Sequence, residues 1–172
     1  MKMNKSHIAL MFAFILITLL SRWLPHPPNM TAVGALALLS GALWGRRIWA
    51  PLVPLAVLFV SDLVLGFHST FIWVYAGFVL VALMGMIVKP QKGWGRSALG
   101  AGLSSLVFFA ISNFGVWMVG GLYPKTGAGL IECYVMALPF LQNQIAGDLI
   151  FTAVFTLMAR RILVSARAPQ AA

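Results

Sequence analysis

Six apolar runs, separated by short polar or proline-containing segments, make up most of this 172-residue sequence. A helix that crosses a membrane needs about 20 predominantly apolar residues. The chain therefore has room for six such helices with short connections, and no room for a soluble domain beside them. We expect a single all-α transmembrane domain over residues 1–172.

Composition supports the same class. Hydrophobic residues make up 61% of the chain and charged residues 9%, with a mean hydropathy of +0.95. An average soluble domain is about 25% charged. These values predict an integral membrane protein.

The breaks between the runs set the predicted spans. Pro25–Asn29 cannot continue a helix because its prolines lack N–H donors, and the segment 89–96 is polar with Pro and Gly. The second run is short and rich in Ala and Gly, so we expect it to be buried among its neighbours. The stretch 129–140 is compatible with a short interfacial or re-entrant helix. The predicted spans are residues 8–24, 30–44, 50–67, 71–88, 97–119 and 144–164.

The distribution of basic residues predicts the orientation. Cytoplasmic loops carry an excess of Lys and Arg, and ten of the twelve basic residues fall on the side of the two termini. We therefore expect a multi-pass protein of a bacterial inner membrane with both termini in the cytoplasm. The net charge of +9 is explained by this topology, so no nucleic-acid partner is expected. The ten residues are Lys2, Lys5, Arg46, Arg47, Lys89, Lys92, Arg96, Arg160, Arg161 and Arg167.

Two of the three acidic residues, Asp62 and Asp148, lie inside apolar runs. A charged side chain at the centre of a bilayer costs about 2.5–3.5 kcal/mol on insertion scales, so such residues are functional-site candidates. Arg22 lies at a corresponding depth and is a candidate partner for either. The predicted orientation puts both aspartates in the outer half of their spans, within reach of water. Two interpretations of these aspartates stay open: they form a structural ion pair, or they form the rim or floor of an outward-opening site.

Most other polar residues fall on the predicted outer side as well. The amide of Asn113 must bond to another helix or to a ligand, and tryptophans at this level either anchor the chain at the interface or stack on a planar ligand. Cys133, His26 and His68 form only a weak metal pattern without paired-ligand spacing, so no metal or other cofactor is expected. The further candidates for ligand contact are Arg22, Asn29, His68, Trp73, Tyr75, Trp117 and Asn143.

Several strings resemble those of a family of small, uncharacterised bacterial membrane proteins: Pro25-His26-Pro27-Pro28-Asn29, Ser61-Asp62-Leu63, Asn113-Phe114-Gly115-Val116-Trp117 and Tyr123-Pro124-Lys125-Thr126. The resemblance covers most of the chain and carries no function. More distantly, the size, six spans, topology and outward polar cluster are similar to the S-components of energy-coupling-factor (ECF) transporters, which capture vitamins and related micronutrients. That similarity implies an outward ligand site covered by loops. It also implies docking of Ala9 and Ala13 on a transmembrane coupling subunit, with an ATPase pair supplying energy.

The leading hypothesis is thus a substrate-capture subunit rather than an enzyme. Asp62, Asn113 and Asp148 would be polar contacts for a small vitamin-like ligand, and the 120–142 connection would be the lid. One alternative is an intramembrane or periplasm-facing enzyme in which Asp62 and Asp148 share a proton. Another is a structural protein of the inner membrane. A proton-coupled carrier is less favoured because the chain shows no internal repeat.

Overall fold

The structure is a computed structural model that describes residues 5–44, 48–89 and 92–165, with the backbone alone for 163–165. These residues form seven α-helices and no strand. The helices are α1 (Lys5–Trp23), α2 (Val33–Trp44), α3 (Trp49–Leu65), α4 (Phe71–Val88), α5 (Trp94–Val119), α6 (Gly127–Met136) and α7 (Leu138–Ser165).

Three of these helices, α1, α4 and α5, are long and apolar enough to cross a membrane. Helices α2 and α3 are apolar but have only 12 and 17 residues, and α7 carries Asp148, Arg160 and Arg161 within its 28 residues. The all-α class is confirmed and a membrane protein is supported. The number of spans and their orientation stay predictions. Of the ten basic residues behind that orientation, Lys2, Arg46, Arg47 and Arg167 lie outside the described residues.

The largest difference from the predicted bounds is at the sixth span. Helix α7 begins at Leu138, six residues before the predicted start. Pro139 lies in its first turn, where the missing N–H would have no partner within the helix in any case. The predicted interfacial or re-entrant stretch, 129–140, is divided between the separate helix α6 and this first turn of α7.

Helix α2 is the centre of the molecule. Its residues from Val33 to Gly41 are all buried, and it packs against α1, α3, α4, α5 and α7. Two glycines bring α2 and α4 into backbone contact: Gly41 lies against the carbonyl of Ala82, and Gly85 lies against the carbonyl of Leu38. A Cβ at either glycine would overlap that carbonyl. Small residues at such crossings let helices approach closely, as the composition of this run predicts.

Apolar side chains fill the spaces around α2. Phe14 of α1 stacks on Phe155 of α7 with ring centroids 4.1 Å apart, and Phe78 of α4 stacks on Phe108 of α5 at 4.4 Å. Large apolar side chains also cover the outside, such as Phe12, 63% exposed, and Ile87, 80% exposed. An exposed apolar surface of this extent is unusual for a soluble monomer and is what a lipid-facing surface requires.

Residues of three connections, among them Asn29, His68 and Tyr123, lie close together, so these connections gather at one end of the bundle. Residues 24–32, 66–70 and 120–126 join α1 to α2, α3 to α4 and α5 to α6 there. Helix α6 and the first turns of α7 lie at the same end. We call it the loop end, and it corresponds to the predicted outer side.

Candidate functional site

The loop end contains a cavity of about 530 Å³. Small-molecule sites in proteins have volumes of about 300–1,000 Å³ and are mostly apolar with a few polar groups. The polar wall consists of Arg22, His26, Asn29, Thr31, His68, Thr70, Ser112, Asn113, Tyr123, Cys133 and Gln144, and the apolar wall of Pro28, Leu65, Val74, Phe78, Phe108, Val116, Leu122, Met136, Ala137 and Phe140.

The described residues of the wall carry positive charge and no negative charge. Arg22 is the one guanidinium or ammonium among its described residues, and none of them is a carboxylate. The two imidazoles each use Nδ1 locally, His26 with the carbonyl of Pro27 at 2.8 Å and His68 with the Thr70 hydroxyl at 2.8 Å. Their other ring nitrogens can serve as donors or acceptors toward a ligand.

Asp62 is held in an ion pair directly behind this wall. Its Oδ1 accepts a hydrogen bond from Nη2 of Arg22 at 2.5 Å, and its Oδ2 accepts one from the Tyr75 hydroxyl at 2.8 Å. The carboxylate is only 2% exposed. Arg22 ends α1, while Asp62 and Tyr75 belong to α3 and α4, so the group joins three helices. The predicted pairing of Arg22 with an aspartate is therefore present, and Arg22 both neutralises Asp62 and reaches the cavity.

Asp148 lies in a different environment, with only neutral partners. Its side chain is fully buried, and its Oδ2 is 2.7 Å from the Ser105 hydroxyl and 3.0 Å from Nε2 of Gln144. Its Oδ1 has no hydrogen-bond partner among the residues that the structure describes, and it abuts Gly34 of α2, where a Cβ would overlap it. Only a glycine in α2 leaves room for this carboxyl group.

Neither aspartate lines the cavity, although each contacts a residue that does, Arg22 for Asp62 and Gln144 for Asp148. Among the described residues no hydrogen bond joins the two carboxyl groups. The expectation that both lie within reach of water differs from the structure, in which neighbouring helices bury them. One side chain separates each carboxyl group from the cavity: Arg22 lies between Asp62 and the cavity, and Gln144 lies between Asp148 and the cavity.

The residues that the sequence predicts to contact a ligand divide into two groups. Arg22, Asn29, His68 and Asn113 lie on the wall, and the amide of Asn113 donates to the carbonyl of Phe109 in its own helix at 2.9 Å. The second group does not line the cavity: Asp62, Trp73, Tyr75, Trp117, Asn143 and Asp148. For all of them, contact with a ligand stays a prediction.

The two tryptophans of the second group have structural contacts. Trp73 packs against Gly115 and meets the ring of Phe114 edge-on at 5.3 Å. Trp117 donates from Nε1 to the carbonyl of Pro124 at 2.9 Å, and the Lys125 ammonium bonds to its carbonyl. Trp117 thereby fixes the 120–126 connection over the end of α5.

Helix α6 covers one side of the cavity. The Thr126 side chain caps it by accepting from the backbone N–H of Gly129 at 3.2 Å, a common way to satisfy the first turn of a helix. Tyr134 and Cys133 fasten α6 to α5, through the carbonyls of Ala110 at 2.6 Å and Asn113 at 3.4 Å. Burial raises the pKa of the Cys133 thiol.

The three weak metal candidates, Cys133, His26 and His68, all lie on the wall. Within the described ranges no group of three or more His, Cys, Asp or Glu side chains is placed to hold a metal ion. The predicted docking residues are on the outer surface of α1 in the half away from the loop end, with Ala9 exposed and Ala13 partly buried.

Sequence reasoning missed Gln144 and Ser105, which contact Asp148. Gln144 precedes Asp148 by four residues on the same helix, and side chains at that spacing lie on one face. The contact between the two could therefore have been predicted from the sequence. Ser105 belongs to another helix and had no such signal. Phe140 and Met136, also missed, were within the predicted lid.

Neither the comparison with curated proteins nor the comparison with solved structures gives a match to this chain. A family model does match, and it spans residues 2–170. The chain belongs to this family, which is described as a family of unknown function (DUF6580).

Proposed function

We propose that this protein is a membrane-embedded substrate-binding subunit for the uptake of a small vitamin-like or micronutrient molecule, similar to an ECF S-component. The observation that supports it best is the cavity of about 530 Å³ at the loop end, with polar groups from several helices and connections converging on an apolar wall. A bundle that served only as a structural element would have no need of such a space.

The wall favours a particular class of ligand. Its described residues include one permanently charged group, Arg22, and no carboxylate, so the wall suits a molecule with neutral or negatively charged polar groups. The Arg22 side chain lines the cavity and is 17% exposed, so it can donate to such a group. The stacked rings of Phe78 and Phe108, which also line the cavity, suit a flat apolar portion of such a ligand.

The proposed subunit captures the ligand from the outer side of a bacterial inner membrane, with both termini in the cytoplasm. Helix α6 and the 120–126 connection form the cover. Energy would come from a separate ATPase pair through a transmembrane coupling subunit, which docks on the surface of α1 around Ala9 and Ala13.

The enzyme alternative gains no support from the site. Its carboxylate pair would have to share a proton, whereas Asp62 is bonded to Arg22 and Tyr75, and Asp148 to Ser105 and Gln144. The function proposed above therefore needs no catalytic residue.

Filling the cavity tests the proposal. Val116 of α5 lines the cavity, whereas Val119, one turn further along, does not and is 50% exposed. We expect wild-type protein purified from rich medium to carry a small molecule that mass spectrometry detects after denaturation. Val116→Trp should lose it because the indole occupies the cavity, and Val119→Trp should keep it.

Two outcomes would contradict the proposal. One is repeated absence of any small molecule from a stable wild-type preparation. The other is full retention of the molecule by Val116→Trp, which would place its binding elsewhere.

A further inference from the structure

A row of buried polar side chains runs along α7 from the cavity into the bundle. Gln144, Asp148, Thr152 and Thr156 recur every four residues and are each 4% exposed or less, so they share one face of the helix. The row begins on the cavity wall at Gln144. At its far end the Thr156 hydroxyl lies 3.4 Å from that of Ser97 in α5.

The hydrogen bonds around Asp148 indicate its protonation state. The Ser105 hydroxyl has one proton, yet its oxygen lies 3.1 Å from the Ala101 carbonyl and 2.7 Å from Oδ2 of Asp148. If Asp148 is ionised, two acceptors compete for that proton. If Asp148 is protonated on Oδ2, its O–H donates to the serine oxygen and the serine donates to Ala101, so both contacts are satisfied. The unpartnered Oδ1 is then a neutral carbonyl oxygen, which is far less costly to bury than a carboxylate oxygen.

No cation neutralises Asp148 within the described residues. Helices α1, α2, α5 and α6 pack against α7. Of their basic groups, Arg22 is bonded to Asp62, while Lys5, His7 and Arg96 lie in the half of the bundle away from the loop end, as do Arg160 and Arg161 of α7 itself. Helix α2 contributes no titratable group, and α6 contributes Glu132, Cys133 and Tyr134. In the part of the chain that the structure describes, Asp148 has polar side-chain contacts with Ser105 and Gln144 alone.

The space around Oδ1 of Asp148 is large enough for a proton but not for a metal cation. A hard cation such as Ca²⁺ takes about six to eight oxygen ligands at roughly 2.3–2.6 Å. Oδ1 instead abuts the backbone of Gly34, so no coordination sphere fits there. A proton needs only the oxygen that carries it.

We propose that Asp148 is a proton-binding site, occupied in this conformation, whose proton exchanges with the cavity on the side of Gln144. In the exchange the O–H bond of the carboxyl group breaks, the electron pair stays on Oδ2, and the proton passes to solvent that reaches the cavity. The reverse step restores the acid. Because Gln144 both lines the cavity and donates to Oδ2, a ligand that engages its amide changes the hydrogen bonding of this carboxyl group. The inference goes beyond ligand capture and does not depend on it.

Infrared difference spectroscopy of the purified wild-type protein tests the first part. The chain has only three acidic side chains, so a protonated carboxyl band can be assigned. At neutral pH we expect one such band, shifted in D₂O, which persists in Glu132→Gln and disappears in Asp148→Asn. Absence of the band from the wild-type protein, or its persistence in Asp148→Asn, would overturn the proposal. If Asp148→Asn fails to fold, persistence of the band in both Glu132→Gln and Arg22→Met/Asp62→Asn assigns it to Asp148 by elimination, and its loss in either would overturn the proposal.

The route of exchange is tested by the rate at which the band shifts after transfer to D₂O. Gln144→Leu replaces the residue between Asp148 and the cavity. Thr152→Val replaces the next residue of the row on the far side, whose hydroxyl has no hydrogen-bond partner among the described residues. We expect Gln144→Leu to change the rate several-fold and Thr152→Val to leave it unchanged. The reverse pattern, or no effect of either variant, would reject the cavity as the route.

Discussion

At the scale of single residues, the two buried aspartates satisfy their carboxyl groups in different ways. Asp62 has a cation and a hydroxyl as partners, with one bond to each carboxylate oxygen. Within the described residues, Asp148 has two neutral donors and one oxygen without a partner. A buried charge is tolerated when it is paired and hydrogen-bonded, so only Asp62 has the partners that an ionised carboxylate requires.

The ion pair predicts a specific pattern of stability. Arg22→Met leaves the buried Asp62 without its cation, and breaking a buried pair in this way costs about 3–5 kcal/mol. We expect the free energy of unfolding in mixed micelles to fall by about that amount.

The double variant Arg22→Met/Asp62→Asn is the control. It removes both charges while the amide oxygen can still accept from Tyr75. We expect it to recover most of the loss. A double variant as unstable as the single one would show that the packing of Arg22, rather than its charge, is what matters.

Cys133 predicts a pH-dependent reactivity. Its thiol is 2% exposed, burial raises its pKa, and the thiolate is the reactive form. At pH 8 we expect N-ethylmaleimide to react with Cys133 at least tenfold more slowly than with Val135→Cys in a Cys133→Ala background. Val135 is on the same helix and 54% exposed.

For both thiols the rate should rise with pH, but the rise for Cys133 should be displaced to higher pH because its raised pKa delays formation of the thiolate. Equal rates and equal pH profiles would show that the packing of α6 on α5 does not bury Cys133 in the purified protein.

At the scale of the helices, α2 has the decisive role. A helix of 12 residues is too short to cross a bilayer unaided. Its role in the fold is to form the buried centre against which the neighbouring helices pack. Its glycines serve different contacts: Gly34 makes room for Asp148, and Gly41 lets the backbone of α2 meet that of α4. The helix therefore connects the candidate proton site to the packing of the whole bundle.

The contact between α2 and α4 can be tested by adding one methyl group. In Gly41→Ala the new Cβ overlaps the backbone carbonyl of Ala82, which cannot move without shifting α4. Overpacking of this kind costs about 1–3 kcal/mol, and we expect the free energy of unfolding to fall accordingly.

Gly102→Ala in α5 is the matched control, because nothing lies within 4 Å of the added Cβ. Alanine is the better helix former, so this variant should be neutral or more stable by up to about 1 kcal/mol. Similar losses in the two variants would mean that glycine at these positions has no role specific to the helix contact.

At the scale of the whole molecule, the alternation of helices puts every connection around the cavity at one end. The basic residues on the predicted cytoplasmic side lie at the other end, as far as they are described. If the protein has the predicted orientation, the cavity opens to the outside, as a capture subunit requires.

Accessibility of single cysteines tests that orientation. In a Cys133→Ala background we expect Ser69→Cys, in the exposed 66–70 connection at the loop end, to react with a membrane-impermeant maleimide applied from outside. Lys92→Cys, exposed at the opposite end, should react only after the inner membrane is permeabilised. The opposite result would turn the cavity toward the cytoplasm and exclude capture from outside.

By itself, the sequence determined the class and the order of the helices, because the energetics of apolar runs and prolines act locally. It also determined that Asp62 and Asp148, which lie within apolar runs, need polar partners or water, and it indicated Arg22 as a candidate partner. The bounds of α6 and α7 were less accessible, because a proline in the first turn of a helix resembles a break when only the sequence is known.

Only the tertiary structure decided which aspartate receives which partner. Arg22, Asp62 and Tyr75 come from three helices, and Ser105, Asp148 and Gly34 come from three others. Such contacts depend on how the helices cross, and the crossings depend on where glycines allow one backbone to approach another. That geometry is not a property of any single run, which is why the cavity and the two buried carboxyl groups behind its wall emerge only when the helices are packed.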